Sequence, residues 1–251
     1  LVSGSCVKAS DFDRDGDLDL FVGGRVTPGS YPQPTPSFIL RNDSKPNAPK
    51  FTDITTQVAP NLATIGLVCD ALWTDFDNDG WMDLALAGEW MPVTFLKNEK
   101  GTFKTQSIIH DTQFTGWWNS LASGDFDRDG DTDYIVGNMG RNTFFKASNS
   151  EPVRIYAKDF DNNGSYDAVP SYYLPKSHTE TQRQEFPYNV RDDMIKQMIS
   201  TRAKFPDYKS YSSATVQDIL KENERKDALV LSANYLNTSY IENKGAGKFE
   251  I

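Results

Sequence analysis

The chain has 251 residues, 38% of them hydrophobic and 24% charged, which is enough apolar content for a sizeable core. It carries 26 Lys and Arg against 35 Asp and Glu, a net charge of -9. An acidic chain without a basic run excludes nucleic acid as an expected partner, and no apolar run reaches the roughly 18 residues that a membrane-spanning helix needs. The chain starts at Leu1, and LVSGSCVKAS lacks the basic end and apolar segment of a signal peptide, so the sequence reads as part of a longer chain. Cys6 and Cys69 occupy different phases of two similar segments. They read as two buried small hydrophobic residues rather than a disulfide.

An internal repeat organises the elements. The first unit, 1–66, opens with a strand-like run at 6–9, then the nonapeptide DFDRDGDLD at 11–19, then the run Leu20-Phe21-Val22-Gly23. Residues 27–37 carry four prolines and read as a long ordered loop rather than a strand. Phe38–Asn42 and a turn to Lys50-Phe51 close the unit. The second unit, 67–115, repeats the order: 71–74, DFDNDGWMD at 75–83, 84–88, then Phe95–Asn98 and Gly101-Thr102-Phe103. The third, 116–152, has 120–123, DFDRDGDTD at 125–133 and 134–137, but lacks the Asn-x-x-Gly-x-Phe tail. The fourth, 153–251, has 155–157, DFDNNGSYD at 159–167 and a strand at 228–231, and ends in a tail at Asn243, Gly247 and Phe249. Within it, 176–226 reads as a helical insertion: Asp192 and Asp193 suit a first turn, with Met194, Ile195, Met198 and Ile199 on one face, and Thr215–Leu220 suits a second short helix. Three to four short strands per unit, bounded by Gly and Asn/Asp turns, predict an all-β fold: a β-propeller portion of about four blade units.

The nonapeptide carries the chemistry. D-x-D-x-[DN]-G-x-x-D offers side-chain oxygens at positions 1, 3, 5 and 9 and a backbone carbonyl at position 7. That set is Asp11, Asp13, Asp15, Asp17 and Asp19; Asp75, Asp77, Asp79, Trp81 and Asp83; Asp125, Asp127, Asp129, Asp131 and Asp133; Asp159, Asp161, Asn163, Ser165 and Asp167. Carboxylates this dense repel one another unless a cation stands among them. Hard oxygens without His or Cys select Ca²⁺, up to four ions in all. The Gly at position 6 permits the sharp turn. Position 12, where an EF-hand needs Glu, holds Val22, Leu86, Val136 and Pro170, so the loop closes at position 9 and enters a strand. Phe at position 2 (Phe12, Phe76, Phe126, Phe160) predicts an aromatic turned into the core. The loops hold 17 of the 35 acidic residues, and four Ca²⁺ would bring -9 to -1.

These loops, with L-x-V-G strands after them, resemble the FG-GAP/VCBS repeats of integrin-α-type propellers. DFDRDGDLDLFVGGRVTPGSYPQP, DALWTDFDNDGWMDLALAGEWMP and GWWNSLASGDFDRDGDTDYIVGN are similar to large bacterial cell-surface proteins with such repeats and an ASPIC/UnbV-type region. The resemblance implies a calcium-binding propeller, with the Asp and Asn side chains above as ligands and the position-7 residues giving carbonyls.

Catalysis finds little support. His110 and His178 are the two histidines, and H-E-x-x-H, G-x-S-x-G and Walker patterns are missing. The Asp pairs that would mimic a glycosidase are committed to the ion loops. The expectation is therefore a binding module rather than an enzyme. It would be extracellular or at the cell surface, outer-membrane-attached or periplasmic, and recognise a glycan or protein. A calcium-dependent polysaccharide lyase or hydrolase and a structural spacer are the alternatives. Arg25, Tyr31, Trp90, Arg141 and Asn142 follow equivalent strands and are expected to gather as a ligand face.

Overall fold

The computed structural model describes residues 2–106, 114–176, 179, 181–245 and 247–251; His110 and His178 lie outside them. The chain divides into two compact units, one of Leu1–Pro28, Gln33–Gly140 and Leu236–Ile251, the other of Gly29–Pro32 and Arg141–Tyr235.

The strands run in chain order as β1 (Ser3–Ser10), β2 (Asp19–Val26), β3 (Phe38–Asn42), β4 (Phe51–Asp53), β5 (Leu67–Thr74), β6 (Asp83–Met91), β7 (Thr94–Asn98), β8 (Phe103–Gln106), β9 (Gly116–Trp117), β10 (Ser120–Gly124), β11 (Asp133–Gly137), β12 (Val153–Lys158), β13 (Asp167–Pro175), β14 (Arg183–Pro187), β15 (Leu229–Ala233), β16 (Ser239–Asn243) and β17 (Phe249–Glu250). They form four antiparallel sheets, so the fold is all-β. Each nonapeptide links two antiparallel neighbours, which the register shows: Ser10 faces Asp19, Thr74 faces Asp83, Gly124 faces Asp133 and Lys158 faces Asp167.

The first unit holds three sheets in the orders β1-β2-β3-β4, β5-β6-β7-β8 (with β9 beside β6) and β10-β11-β16-β17. The third redraws the boundaries expected at 116–152 and 153–251. Its outer strands come from the end of the chain: Tyr134 pairs with Ile241 and Ile135 with Tyr240. The tail at Asn243 and Phe249 therefore belongs to the third sheet, which explains why residues after 137 lack one of their own. The intervening chain leaves and returns at a neck where Gly140 N–H donates to the Leu236 carbonyl at 2.7 Å. The proline-rich 27–37 segment is ordered as expected, with Thr35 N–H on Gly66 O and Ser37 N–H on Leu62 O. Cys6 and Cys69 are free thiols, half-buried rather than buried.

The second unit is larger than the 176–226 insertion expected and includes a sheet of its own, β14-β13-β12-β15. β14 lies inside the segment read as helical. Helix α1 (Thr55–Val58) belongs to the first unit; in the second, helices α2 (Arg191–Gln197), α3 (Thr201–Lys204), α4 (Tyr208–Tyr211), α5 (Val216–Ile219) and α6 (Glu222–Arg225) follow β14 in the segment read as helical. Met194 and Met198 pack with Tyr156, Val169, Tyr211, Val216 and Ile219, while Ile199 lies beyond the end of α2 and is exposed. Thr215 and Asp218 close a capping box on α5.

Inside the first unit one joint recurs between successive sheets. Asn98, ending β7, donates its side-chain amide to the Phe12 carbonyl at 2.8 Å, and Phe12 packs on Trp73 and Phe103 of that second sheet. Asn243, ending β16, does the same to the Phe76 carbonyl at 2.8 Å, and Phe76 packs on Phe249. Each joint is buried, so removing the amide orphans a carbonyl. Asn243→Ala and Asn98→Ala are each expected to cost about 2–3 kcal/mol in chemical denaturation, and Asn42→Ala, at the same register on β3, less than about 1 kcal/mol. Equal losses at all three positions would contradict the joint.

Candidate metal centres

In three loops the first Asp organises the turn. Asp11 accepts the N–H groups of Asp15 and Gly16, Asp75 those of Asp79 and Gly80, and Asp159 those of Asn163 and Gly164, all at 2.8–3.1 Å. In the third loop Asp125 takes Arg128 N–H instead, at 2.7 Å. The position-5 side chain accepts from the position-7 N–H in every copy: Asp15 from Asp17, Asp79 from Trp81, Asp129 from Asp131 and Asn163 from Ser165. Gly16, Gly80, Gly130 and Gly164 have φ of 98°, 84°, 99° and 85°. A Cβ at Gly16, Gly130 or Gly164 would meet nothing within 4 Å, so glycine is needed there for its backbone angle and not for space.

The ninth position anchors the loop to the sheet. Asp19, Asp83, Asp133 and Asp167 are all buried. Three accept the N–H of the Asn that ends the third strand: Asn42 to Asp19, Asn98 to Asp83 and Asn243 to Asp133, at 2.7–2.9 Å. The N–H of Phe76, Phe126 and Phe160 reaches back to Asp83, Asp133 and Asp167. Burial pushes the Asp83 carboxyl up to about 7 and the Asp19 carboxyl up to about 6, against the hydrogen bonds they accept. Burial also raises Asp167.

Each loop brings three carboxylates within 4.8 Å of one another: Asp11, Asp13 and Asp15; Asp75, Asp77 and Asp83; Asp125, Asp127 and Asp133; Asp159, Asp161 and Asp167. Buried carboxylate oxygens of Asp17, Asp19, Asp131 and Asp161 have no hydrogen-bond partner. Clustered, unpartnered hard oxygens fit a divalent cation, which would neutralise them together. The surroundings differ between copies. Lys97 Nζ contacts Asp77 and lies 3.2 Å from Asp79. Burial works against the Asp79 charge, yet the Trp81 N–H and Lys97 hold its carboxyl below the usual range. Arg14 sits 4.1 Å over the Trp81 ring of the same loop. At the register of Lys97 the third sheet has Glu242, which hydrogen-bonds Asp127 and helps raise it, after burial. In the fourth loop Gln197, from α2, donates nothing to the carboxylates; its side-chain oxygen takes Ala168 N–H at 2.9 Å.

Residues 75–136 match the model of the FG-GAP-like repeat. The chain carries an FG-GAP-type repeat. The matched stretch runs from the second acidic loop to the strand after the third, the two loops joined by Asn243 and Phe76. No curated protein matches the chain. None of the helices described is long and apolar enough to cross a membrane.

The structure distributes the expected ligand residues differently from the sequence reading. Trp90 is buried, its ring edge-on to Trp117 at 4.8 Å, so it packs the first unit instead of presenting a surface. Its backbone has φ 61° within β6, at the irregularity between Glu89 and Met91 where β6 pairs with β9. Arg25 pairs with Glu89 and lines a cleft of about 310 Å³ with Trp117, Asn119 and Met139. Tyr31, Arg141 and Asn142 fall in the second unit. Of the Trp117-Trp118 pair, Trp118 is fully buried and Trp117 half-buried. The sequence reading missed an aromatic cleft of about 530 Å³ in the second unit, lined by Tyr172, Phe186, Tyr188, Arg191, Tyr208 and Tyr211. Its signal was there in the tyrosine density of 172–211, hidden by treating that segment as a polar insertion.

A pH dependence follows from two of the ninth-position carboxyls, Asp19 and Asp83. Their folded-state values stand above the unfolded value near 4, so they stabilise fully below that value and lose the contribution as pH rises through about 6–7. Chelated protein is expected to melt at lower temperature at pH 8 than at pH 5, with the difference abolished by saturating divalent cation. Groups with lowered values, such as Asp43, act below pH 4 and leave this window clear. A chelated protein whose melting temperature rises from pH 5 to pH 8 would contradict the assignment.

Proposed function

We propose that the chain is a calcium-stabilised binding module of an extracellular or cell-surface protein, recognising a glycan or protein ligand. The single observation behind this reading is the fourfold acidic loop, each copy seated on a buried Asp between two strands. An all-oxygen set with backbone turns fixed in advance favours Ca²⁺ over Mg²⁺, which keeps its waters, and over metals that prefer nitrogen or sulfur. Calcium would neutralise the loops and tie the strand pairs together. Weak multi-site binding of this type suits calcium-rich extracellular fluid. The carboxylates that a lyase or hydrolase would use stand in these loops, which favours binding over chemistry.

The aromatic cleft of the second unit supports the recognition role. Tyr188 and Tyr208 are exposed, and Tyr208 is held by a hydroxyl bond to Asp192 and by the Arg191 guanidinium 5.7 Å from its ring. Fixed, exposed tyrosines provide contact area at small entropic cost, to a sugar face or a peptide. Screening on glycan and surface-protein arrays tests the reading. Tyr208→Ala should lose the signal with little change in melting temperature; retention of full binding would remove this cleft from the proposal.

The calcium half has its own tests. A ligand bound only by the folded state at a hundred times its Kd adds about 2.7 kcal/mol per site. Melting in excess Ca²⁺ should therefore lie well above melting in EGTA, and equal midpoints would refute the role. The four sites are not expected to be equal. Loops one and three each carry five carboxylates, loop four carries three, and Lys97 offsets loop two. Calorimetry should resolve tighter and weaker classes, and Lys97→Gln should tighten a weak site at least about tenfold by removing a positive charge beside two ligands. An unchanged isotherm would show that the ammonium does not oppose the ion.

A further inference from the structure

The aromatic cleft of the second unit has a wall of one charge. Lys176 and Arg191 are the charged residues that line it, with no Asp or Glu beside them. The next cleft of the same unit sets Lys176 and Arg183 against Glu185 and Asp218, and the cleft at Arg25 sets that residue against Glu89. Arg191 shares its charge with Asp192 at 3.3 Å and gives further N–H groups to the Phe205 and Pro206 carbonyls. Lys176 is exposed, and among the described residues its ammonium has neither a hydrogen bond nor an ion pair. Asp218 feels its charge from the neighbouring cleft but is engaged with Thr215 in the cap of α5.

The main chain around the cleft has little left to give. Pro175 and Pro187 carry no N–H. Tyr188 N–H donates to the Pro170 carbonyl, and the Val190 carbonyl accepts Met194 N–H. The N–H groups of Tyr211, Ser212 and Ala214 are bonded within their own turns, and the Asn189 carbonyl accepts the Tyr211 hydroxyl at 2.7 Å. A peptide added as a strand binds through main-chain pairs, which this wall does not offer. Its side chains do offer contacts. Among the described residues the hydroxyls of Tyr172, Tyr188 and Ser213 and the amide of Asn189 have no hydrogen-bond partner. Tyr188 is 50% and Tyr208 58% exposed, and Tyr188 is backed by the rings of Phe145 and Tyr172. Fixed ring faces beside hydroxyl and amide groups match the C–H face and the hydroxyls of a sugar.

We propose that this cleft takes a carboxylated polysaccharide, a uronic-acid glycan, with Tyr188 and Tyr208 against sugar faces and Lys176 serving a carboxylate. The assignment rests on the recognition role proposed for the same cleft and narrows its ligand to one class. A cleft lined by one sign of charge concentrates ions of the other, here on a chain whose net charge of -9 repels anions elsewhere. A neutral glycan would leave the Lys176 ammonium unused. A volume of about 530 Å³ suits a short stretch of such a chain.

Calorimetry in saturating Ca²⁺ tests this with tetragalacturonate, tetramannuronate, fully methyl-esterified tetragalacturonate, cellotetraose and hexaglutamate. One or both uronate tetramers should bind, and the ester and the neutral tetramer should bind at least about fivefold more weakly. Lys176→Gln should weaken the uronate about fivefold, as should a rise in salt from about 50 to 500 mM. Tyr208→Ala should abolish its binding. Both positions are exposed, so circular dichroism and melting of the variants should match wild type. Uronate binding that neither variant weakens would place the carboxylates on the calcium ions and overturn the proposal. So would equal affinity for the ester, or hexaglutamate as the tighter ligand. Silence from both uronates overturns it as well. The broader recognition role is separately decided on the arrays, where another ligand's signal lost in Tyr208→Ala would uphold the cleft without the uronate.

Discussion

The fold depends on one constraint: a carboxylate must be buried at the point where each acidic loop meets its sheet. Asp19, Asp83, Asp133 and Asp167 sit at the first residue of the strand that follows the loop, sealed from water, and accept main-chain N–H bonds that fix the loop to its neighbours. A buried charge is costly unless paired and hydrogen-bonded. The loop answers with backbone donors from inside and, on the functional reading, a cation from outside. The same residue therefore sets strand register, loop conformation and the electrostatic demand for an ion.

From that anchor the rest of the first unit follows. Fixing the ninth residue fixes the Phe seven positions earlier, whose N–H returns to it in the second and third loops. The Phe ring and carbonyl are then presented to the next sheet, where an Asn amide and an aromatic pair take them up. The Asn does two jobs: its backbone N–H holds its own sheet's Asp while its side chain holds the neighbouring sheet's loop. Acidic loop, sheet and inter-sheet joint are one connected network of hydrogen bonds, and damage to one member is felt by the others.

Much of this was legible in the residues because it is local. The nonapeptide, its glycine and the period-two strands around it lie within some twenty residues, and turn chemistry of that range is encoded where it acts. The carboxylate cluster of each loop could be read for the same reason. What could not be read is long-range. The tail at Asn243 and Phe249 pairs with a strand more than a hundred residues earlier, and proximity in sequence assigned it to the wrong sheet. Trp90 looked like a loop residue after a strand, but it lies within β6 and packs edge-on to Trp117. Lys97 and Glu242 occupy one register position on different sheets and face similar loops with opposite charge. No pattern within either segment announces that difference, because it arises only when strand and loop are brought together.

The neck at Gly140 and Leu236 bears on how the chain reaches this structure. Between Ile135 and its partner Tyr240 lies all of the second unit but Gly29–Pro32, with its own sheet and core. Closing a loop of that length costs more chain entropy than any hairpin in the molecule, unless the intervening residues have already folded and drawn its ends together. The second unit can do so from local pairings of β12 with β13 and of β13 with β14, made as those segments emerge from the ribosome. Residues 120–137 must wait through that time as a two-stranded ribbon with one edge unpaired. The completion of the third sheet is thus the late, slow event of folding, and its schedule is set by a unit inserted inside it.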